Sequence, residues 1–97
     1  MHRVFAARAP EVPLLSVKPI YGHLLGASSI LNIAATALML HHGWIVPTLN
    51  VDPARATGPI SHLAGGGRHT DASAALAVSF GIGGHNAVTL IGSAEDA

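Results

Sequence analysis

Residues 16–43 read SVKPIYGHLLGASSILNIAATALMLHHG. A short extended run ends at Lys18, a glycine-bearing loop holds His23, and an almost wholly apolar helix runs on to Gly43. Pro19 biases Lys18 towards extended backbone. Residues 19–25 are therefore expected to be irregular, with Gly22 freeing the chain beside His23. The helix is expected to start near Gly26 to Ser28, with Ser28 or Ser29 as N-cap. Ser29, Asn32 and Thr36 are spaced three and four apart, so they form one narrow polar stripe. Ile30, Leu31, Ile33, Ala34, Ala35, Leu38, Met39 and Leu40 cover the rest. A helix apolar nearly all round is expected to be buried nearly all round. His41 and His42 suit the negative end of the helix dipole. Gly43 suits the left-handed position just past the last turn.

The composition sharpens that expectation. In 97 residues, 49% are hydrophobic and only 10% are charged. A soluble domain usually carries about 25% charged residues. Most of the surface is thus expected to meet other protein or a membrane. No charge occurs between Lys18 and Asp52, and residues 24–40 approach the span of a bilayer. Asn32 in the middle of that run, with Gly26, Ser28, Ser29 and Thr36, favours a buried helix in a protein core over a membrane span. The formal net charge is zero with seven His counted neutral, so no basic footprint points to nucleic acid. The chain has no cysteine, which removes disulfides and thiolate chemistry from its own repertoire. The N-terminal MHRVFAARAPEVP holds no apolar stretch of signal-peptide length.

Outward from the helix, residues 1–10 read as the tail of a helix stopped by Pro10. Val12 to Val17 is a short apolar run bounded by turn residues, which suits a buried strand. Trp44 to Pro47 leaves the long helix, and Thr48 to Asp52 continues as an extended loop. Residues 52–72 are rich in Gly, Pro and Ala and read as connection, with one brief strand near Ile60 to Leu63. Alternation then sets in: Leu76, Val78 and Phe80 face one side, Ala75, Ala77 and Ser79 the other. With the turn Gly81-Ile82-Gly83-Gly84 and the second strand Asn86 to Gly92, this forms an antiparallel hairpin. Residues 93–97, SAEDA, read as a frayed polar end. The class is α/β. One helix and three short strands cannot cover so apolar a helix, so the pattern describes an incomplete domain.

Two motifs at matching separation carry a resemblance. The first is Lys18-Pro19-Ile20-Tyr21-Gly22-His23-Leu24-Leu25-Gly26-Ala27, followed by the apolar helix and Pro47-Thr48-Leu49-Asn50. The second is Ser79-Phe80-Gly81-Ile82-Gly83-Gly84-His85-Asn86-Ala87. Together they resemble the C-terminal part of β-ketoacyl-[acyl-carrier-protein] synthases, the condensing enzymes of fatty acid and polyketide synthesis. The resemblance runs from about Val4 to Gly92.

It implies a thiolase-like fold, of which residues 1–97 supply the end of the second half, with the apolar helix in the middle layer, packed on a mixed sheet that ends in the hairpin. It implies decarboxylation of malonyl carrier protein and joining of the fragment to an acyl group held on a cysteine. It places His23 as the second catalytic histidine and Lys18 in the same polar network. Phe80, Gly81, Ile82 and Gly83 fall in the loop beside the nucleophile, with Ile82 at the gate of the acyl pocket. The implied partners are acyl carrier protein, the remainder of the synthase, and a homo- or heterodimer mate. No cofactor is implied beyond the phosphopantetheine that delivers acyl groups, and the implied compartment is the cytoplasm.

The chemistry suits those residue types. Decarboxylation builds an enolate oxygen, and a neutral imidazole N–H aimed at it lowers the barrier. Glycines let a gate loop move. The sequence departs from the family where Asn32 replaces a frequent glutamate, Ile82 a frequent phenylalanine and His85 a frequent threonine. The nucleophilic cysteine and the first histidine belong upstream of the segment that this chain matches. A non-catalytic, pocket-forming partner of a condensing enzyme is the alternative reading, and a free-standing inactive remnant, membrane-associated or not, is the third.

Without the motifs, His23 reads as a polar loop residue capping the next helix, Lys18 as a strand-end lysine, and Phe80 and Ile82 as plain hairpin core. The adjacent His41 and His42 diverge by about 100° on a helix and cannot readily share a metal. His62, His69 and His85 show no ligand spacing. Gly65 to Gly67 lacks the strand-loop-helix frame and the Lys-Ser/Thr of a phosphate loop.

Overall fold

The computed structural model describes residues 1–55 and 61–94. They form two compact units, one of residues 1–22 and 46–67, the other of residues 23–45 and 68–97.

In the first unit, helix α1 (His2–Phe5) runs into a 3-10 turn, Ala6–Glu11, that contains Pro10 and buries Ala9. Strand β1 is only Pro13–Leu14, shorter than the apolar run suggests. It pairs in parallel with β3, Ser61–His62, placing Pro13 opposite Ser61 and Leu14 opposite His62. The brief second strand expected near Ile60 to Leu63 is thus present in part, and Ile60 lies outside the described residues. The Leu63 amide donates to the Leu14 carbonyl at 3.1 Å. Thr48 ties the unit together. Its amide donates to the Leu63 carbonyl at 2.8 Å, and its Oγ1 accepts from the Ser16 amide at 2.8 Å. Val17 and Leu63 are buried with Ala9.

The segment after Val17 corrects the expectation of irregular backbone. Lys18–Tyr21 forms a single helical turn, α2. Lys18 is its first residue and Pro19 its second. The first-turn amides have no intrahelical partner, so proline's missing N–H costs nothing there. Gly22, at φ 80°, donates to the Lys18 carbonyl at 2.7 Å and ends the turn.

In the second unit, a 3-10 turn, Leu25–Ala27, leads directly into helix α3, Ser28–His42. Ala27 occupies the N-cap position without a side-chain hydrogen bond. Neither Ser28 nor Ser29 caps the helix, because the preceding turn shifts both inside it. Gly43 ends α3 in the left-handed region, at φ 60° and ψ 30°, its amide turned back to Leu40 and Met39. Strand β2 (Trp44–Ile45) then pairs antiparallel with β4 (Arg68–His69). The Trp44 and His69 rings meet edge to face, with centroids 4.8 Å apart.

The hairpin is longer than the sequence implied at its turn end. Strand β5 spans Ala74–Gly81 and β6 spans His85–Gly92, in register from Ala74 opposite Gly92 to Gly81 opposite His85. Helix α3 packs on both strands. Ala77 is buried and Ala75 and Ser79 are half-buried, while Leu76, Val78 and Phe80 are exposed. Small residues therefore line the covered face, and the large apolar ones face out.

No residue of α3 is buried in this chain, and Ile30 remains 70% exposed, as expected of a helix too apolar for one helix and three short strands to cover. One hairpin covers only one stripe of a helix. The described strands also form three separate two-stranded ladders, one parallel and two antiparallel, rather than one mixed sheet. Among the described residues, no helix is long and apolar enough to cross a membrane. Residues 95–97 of the polar end and residues 56–60 of the Gly/Pro-rich connection lie outside the described residues.

Candidate functional site

His23 opens the second unit, one residue after the glycine that ends α2. Its loop is short because the 3-10 turn begins two residues later. Leu25 has φ 50°, a left-handed conformation uncommon for a residue with a side chain. The Leu25 amide donates to His23 Nδ1 at 3.0 Å. An amide can only donate, so Nδ1 is the ring's acceptor. In the neutral ring the proton then sits on Nε2. The other nitrogen is thereby presented as a donor.

Ser28, the first residue of α3, completes the arrangement. Its Oγ accepts from the Leu24 amide at 2.8 Å and lies 3.3 Å from His23 Nδ1. Two hydrogen-bonding groups thus converge on one ring nitrogen, one from the 3-10 turn and one from the first residue of α3. His23 itself is exposed within this chain. An imidazole held at Nδ1 and carrying its proton on Nε2 can donate to an oxygen that gains charge.

Lys18 belongs to the first unit. It is exposed, its amide donates to Ser16 Oγ at 3.3 Å, and its carbonyl receives the Gly22 amide. Phe80, Gly81, Ile82 and Gly83 sit together at the closed end of the hairpin. Phe80 is 78% exposed and Ile82 fully exposed. A methyl group on Gly81 would approach His85 Cβ to 3.2 Å, so a side chain there would press the two strands apart by a few tenths of an ångström. Gly83 and Gly84 take φ 96° and 86°. Ile82 is therefore carried at the tip of a turn whose backbone other residues rarely adopt.

The sequence pointed to His23 but not to its two partners. Nothing in a leucine signals a left-handed backbone. Ser28 was legible only as a hydroxyl at the expected helix start, and its actual bond runs backwards to Leu24. Among the described residues, no group of three or more His, Asp or Glu side chains could hold a metal ion.

Comparison with known proteins adds independent evidence. Residues 1–52 match the family described as beta-ketoacyl synthase, C-terminal domain. The chain is 37% identical over 78 residues to the chloroplastic 3-oxoacyl-[acyl-carrier-protein] synthase II of Arabidopsis thaliana, covering 79% of this chain and 14% of that protein. It is 33% identical over 89 residues to the ketoacyl synthase alpha subunit of the tetracenomycin polyketide synthase of Streptomyces glaucescens, covering 92% of this chain and 21% of that one. Against 3-oxoacyl-[acyl-carrier-protein] synthase 1 of Escherichia coli it is 26% identical over 96 residues, with 99% and 23% covered. No solved structure matches. The chain spans less than a quarter of the length of these curated relatives. With the family match extending through α2, the His23 loop and α3, the chain belongs to the β-ketoacyl synthase C-terminal domain family.

Proposed function

We propose that this chain is the C-terminal segment of a β-ketoacyl-[acyl-carrier-protein] synthase with a thiolase-like fold, acting in fatty acid or polyketide synthesis. The observation that carries the catalytic reading is the Leu25 amide on His23 Nδ1 at 3.0 Å. It leaves Nε2–H to act as a donor.

In the reaction, the bond between the malonyl Cα and its carboxylate breaks. Carbon dioxide leaves, and the electron pair moves through Cα onto the thioester oxygen. His23 Nε2–H donates to that oxygen as its charge develops, which is where a fixed donor lowers a barrier most. The enolate carbon then attacks an acyl thioester on a cysteine supplied by the rest of the synthase, and the cysteine sulfur leaves as thiolate. The 97 residues contain no cysteine, so this chain by itself has no thiol to carry the acyl group. Lys18 joins the polar network around His23 in the assembled enzyme. Phe80 and Ile82, on the turn with Gly81 and Gly83, gate the acyl pocket. Substrates arrive on the phosphopantetheine of acyl carrier protein, with no resident cofactor, and the cytoplasmic placement belongs to the same proposal.

The test is His23→Ala in the full-length protein. Decarboxylation of malonyl carrier protein should fall about 100- to 1,000-fold, the cost of removing one donor from a developing oxyanion. Acyl loading on the cysteine should persist. Unchanged decarboxylation would remove His23 from the mechanism.

A further inference from the structure

We infer that Ser28 is a positioning residue for His23: its hydroxyl fixes the ring orientation by joining the Leu24 amide and His23 Nδ1 to the first turn of α3. The functional weight of this inference rests on the reading of His23 as the donor to the enolate oxygen. The orientation itself does not.

The geometry carries it in three steps. The Leu24 amide precedes the 3-10 turn, where amides lack an intrahelical partner, and Ser28 Oγ accepts it at 2.8 Å. That bond occupies a lone pair of Oγ and leaves the hydroxyl hydrogen free. Nδ1 lies 3.3 Å from the same oxygen, so the hydroxyl hydrogen directed there shares the single Nδ1 lone pair with the Leu25 amide in a three-centre arrangement, the Ser28 arm being the longer one. The Leu25 amide, the first donor, selects the tautomer. A single bond leaves the ring free to rock about it. The second bond, from a different element, resists that motion and holds Nε2–H on one line. Ser28 also anchors the His23–Leu24 peptide, one residue before the first donor, so the two contacts support each other. The rigid base is α3, fifteen residues long and closed at its far end by Gly43. Placing a reacting group by fixed neighbours is what keeps it within the narrow range that catalysis needs.

The experiment uses the full-length protein with 15N-labelled histidine, the His23 signal being assigned by its absence in His23→Ala. Ser28→Ala should lower kcat for malonyl decarboxylation about fivefold, the worth of one hydrogen bond, with KM unchanged. The His23 Nδ1 15N signal should move downfield as its contact with Ser28 Oγ is lost, while the Nε2–H tautomer set by the Leu25 amide persists. Ser28→Thr, which keeps the hydroxyl, should restore both. Ser28→Ala with wild-type 15N shifts overturns the positioning role, whatever happens to activity. Failure of the catalytic reading is seen separately, as decarboxylation that survives His23→Ala while the Ser28-dependent shift remains.

Discussion

Leu25 stands at φ 50° and its amide meets His23 Nδ1 at 3.0 Å, so the unusual backbone and the orientation of the ring are one arrangement. A left-handed residue with a side chain costs about 1–2 kcal/mol. Such conformations persist where the surroundings over-determine them, and they cluster at functional sites. Here the surroundings are the first turn of α3, tied to the Leu24 amide through Ser28.

Two substitutions at Leu25 should separate backbone from side chain. Glycine adopts φ 50° freely and keeps the amide, so Leu25→Gly should retain decarboxylation within about twofold, since glycine's added chain entropy offsets the relieved strain. Proline fixes φ near −65° and has no N–H. Leu25→Pro should therefore reduce decarboxylation as far as His23→Ala does. Assays of malonyl carrier protein turnover on both variants of the full-length protein check this. Equal activity in the two would show that the amide contact plays no part.

The closed end of the hairpin should be intolerant of β-carbons. Gly83 lies at φ 96°, and Gly83→Ala should lower stability by about 1–2 kcal/mol. Gly81→Ala places its new methyl 3.2 Å from His85 Cβ, an atom that cannot rotate away, and should also destabilise. Thermal melts of the full-length protein measure both. Wild-type melting of Gly83→Ala would mean that the turn takes another conformation.

Much of this fold was legible because its signals are local. Gly43 ended the helix where a left-handed residue was needed, and alternation from Ala75 to Phe80 assigned the two faces of the hairpin correctly. What failed depended on context. Pro19 biases Lys18 towards extended backbone and residues 19–25 towards irregularity, yet a proline in the first helical turn gives up an amide that has no partner anyway, and Lys18–Tyr21 is helical. Ser28 was read as an N-cap, yet a 3-10 turn ahead of it moved it one place into the helix and turned its hydroxyl back to Leu24. The motif that named His23 was legible; the contacts that orient the ring were not, because a leucine carries no mark of φ 50°.

Thr48, in the Pro47-Thr48-Leu49-Asn50 motif, should matter through its oxygen. Its Oγ1 receives the Ser16 amide at 2.8 Å while its own amide holds the Leu63 carbonyl. Thr48→Val keeps the shape and leaves the Ser16 amide unsatisfied, at a cost of about 1–3 kcal/mol. Thr48→Ser should stay close to the wild type. Chemical denaturation of the full-length protein compares them, and equal midpoints for Val and Ser would dismiss the bond as a stabilising contact.

The outward face of the hairpin gives a prediction whose sign depends on chain length. Leu76 lies opposite Leu90 and Val78 opposite Val88, with Phe80 next along, and all five side chains are exposed. Directly opposed residues share a face and pack against each other, so this is one continuous apolar patch. A patch of that kind drives association. The 97-residue chain made alone should therefore self-associate. Leu76→Glu with Leu90→Lys replaces its centre by an opposed ion pair and should shift the isolated chain towards monomer. In the full-length protein the same face is expected to be covered, and there the paired charges should destabilise by several kcal/mol, because burying charge costs more than the pair returns. Light scattering of the short chain and melting of the long one give the two readings. A monodisperse monomer of the unmodified 97-residue chain with a sharp, cooperative melt would sink the first, and an unchanged melt of the doubly substituted full-length protein would sink the second.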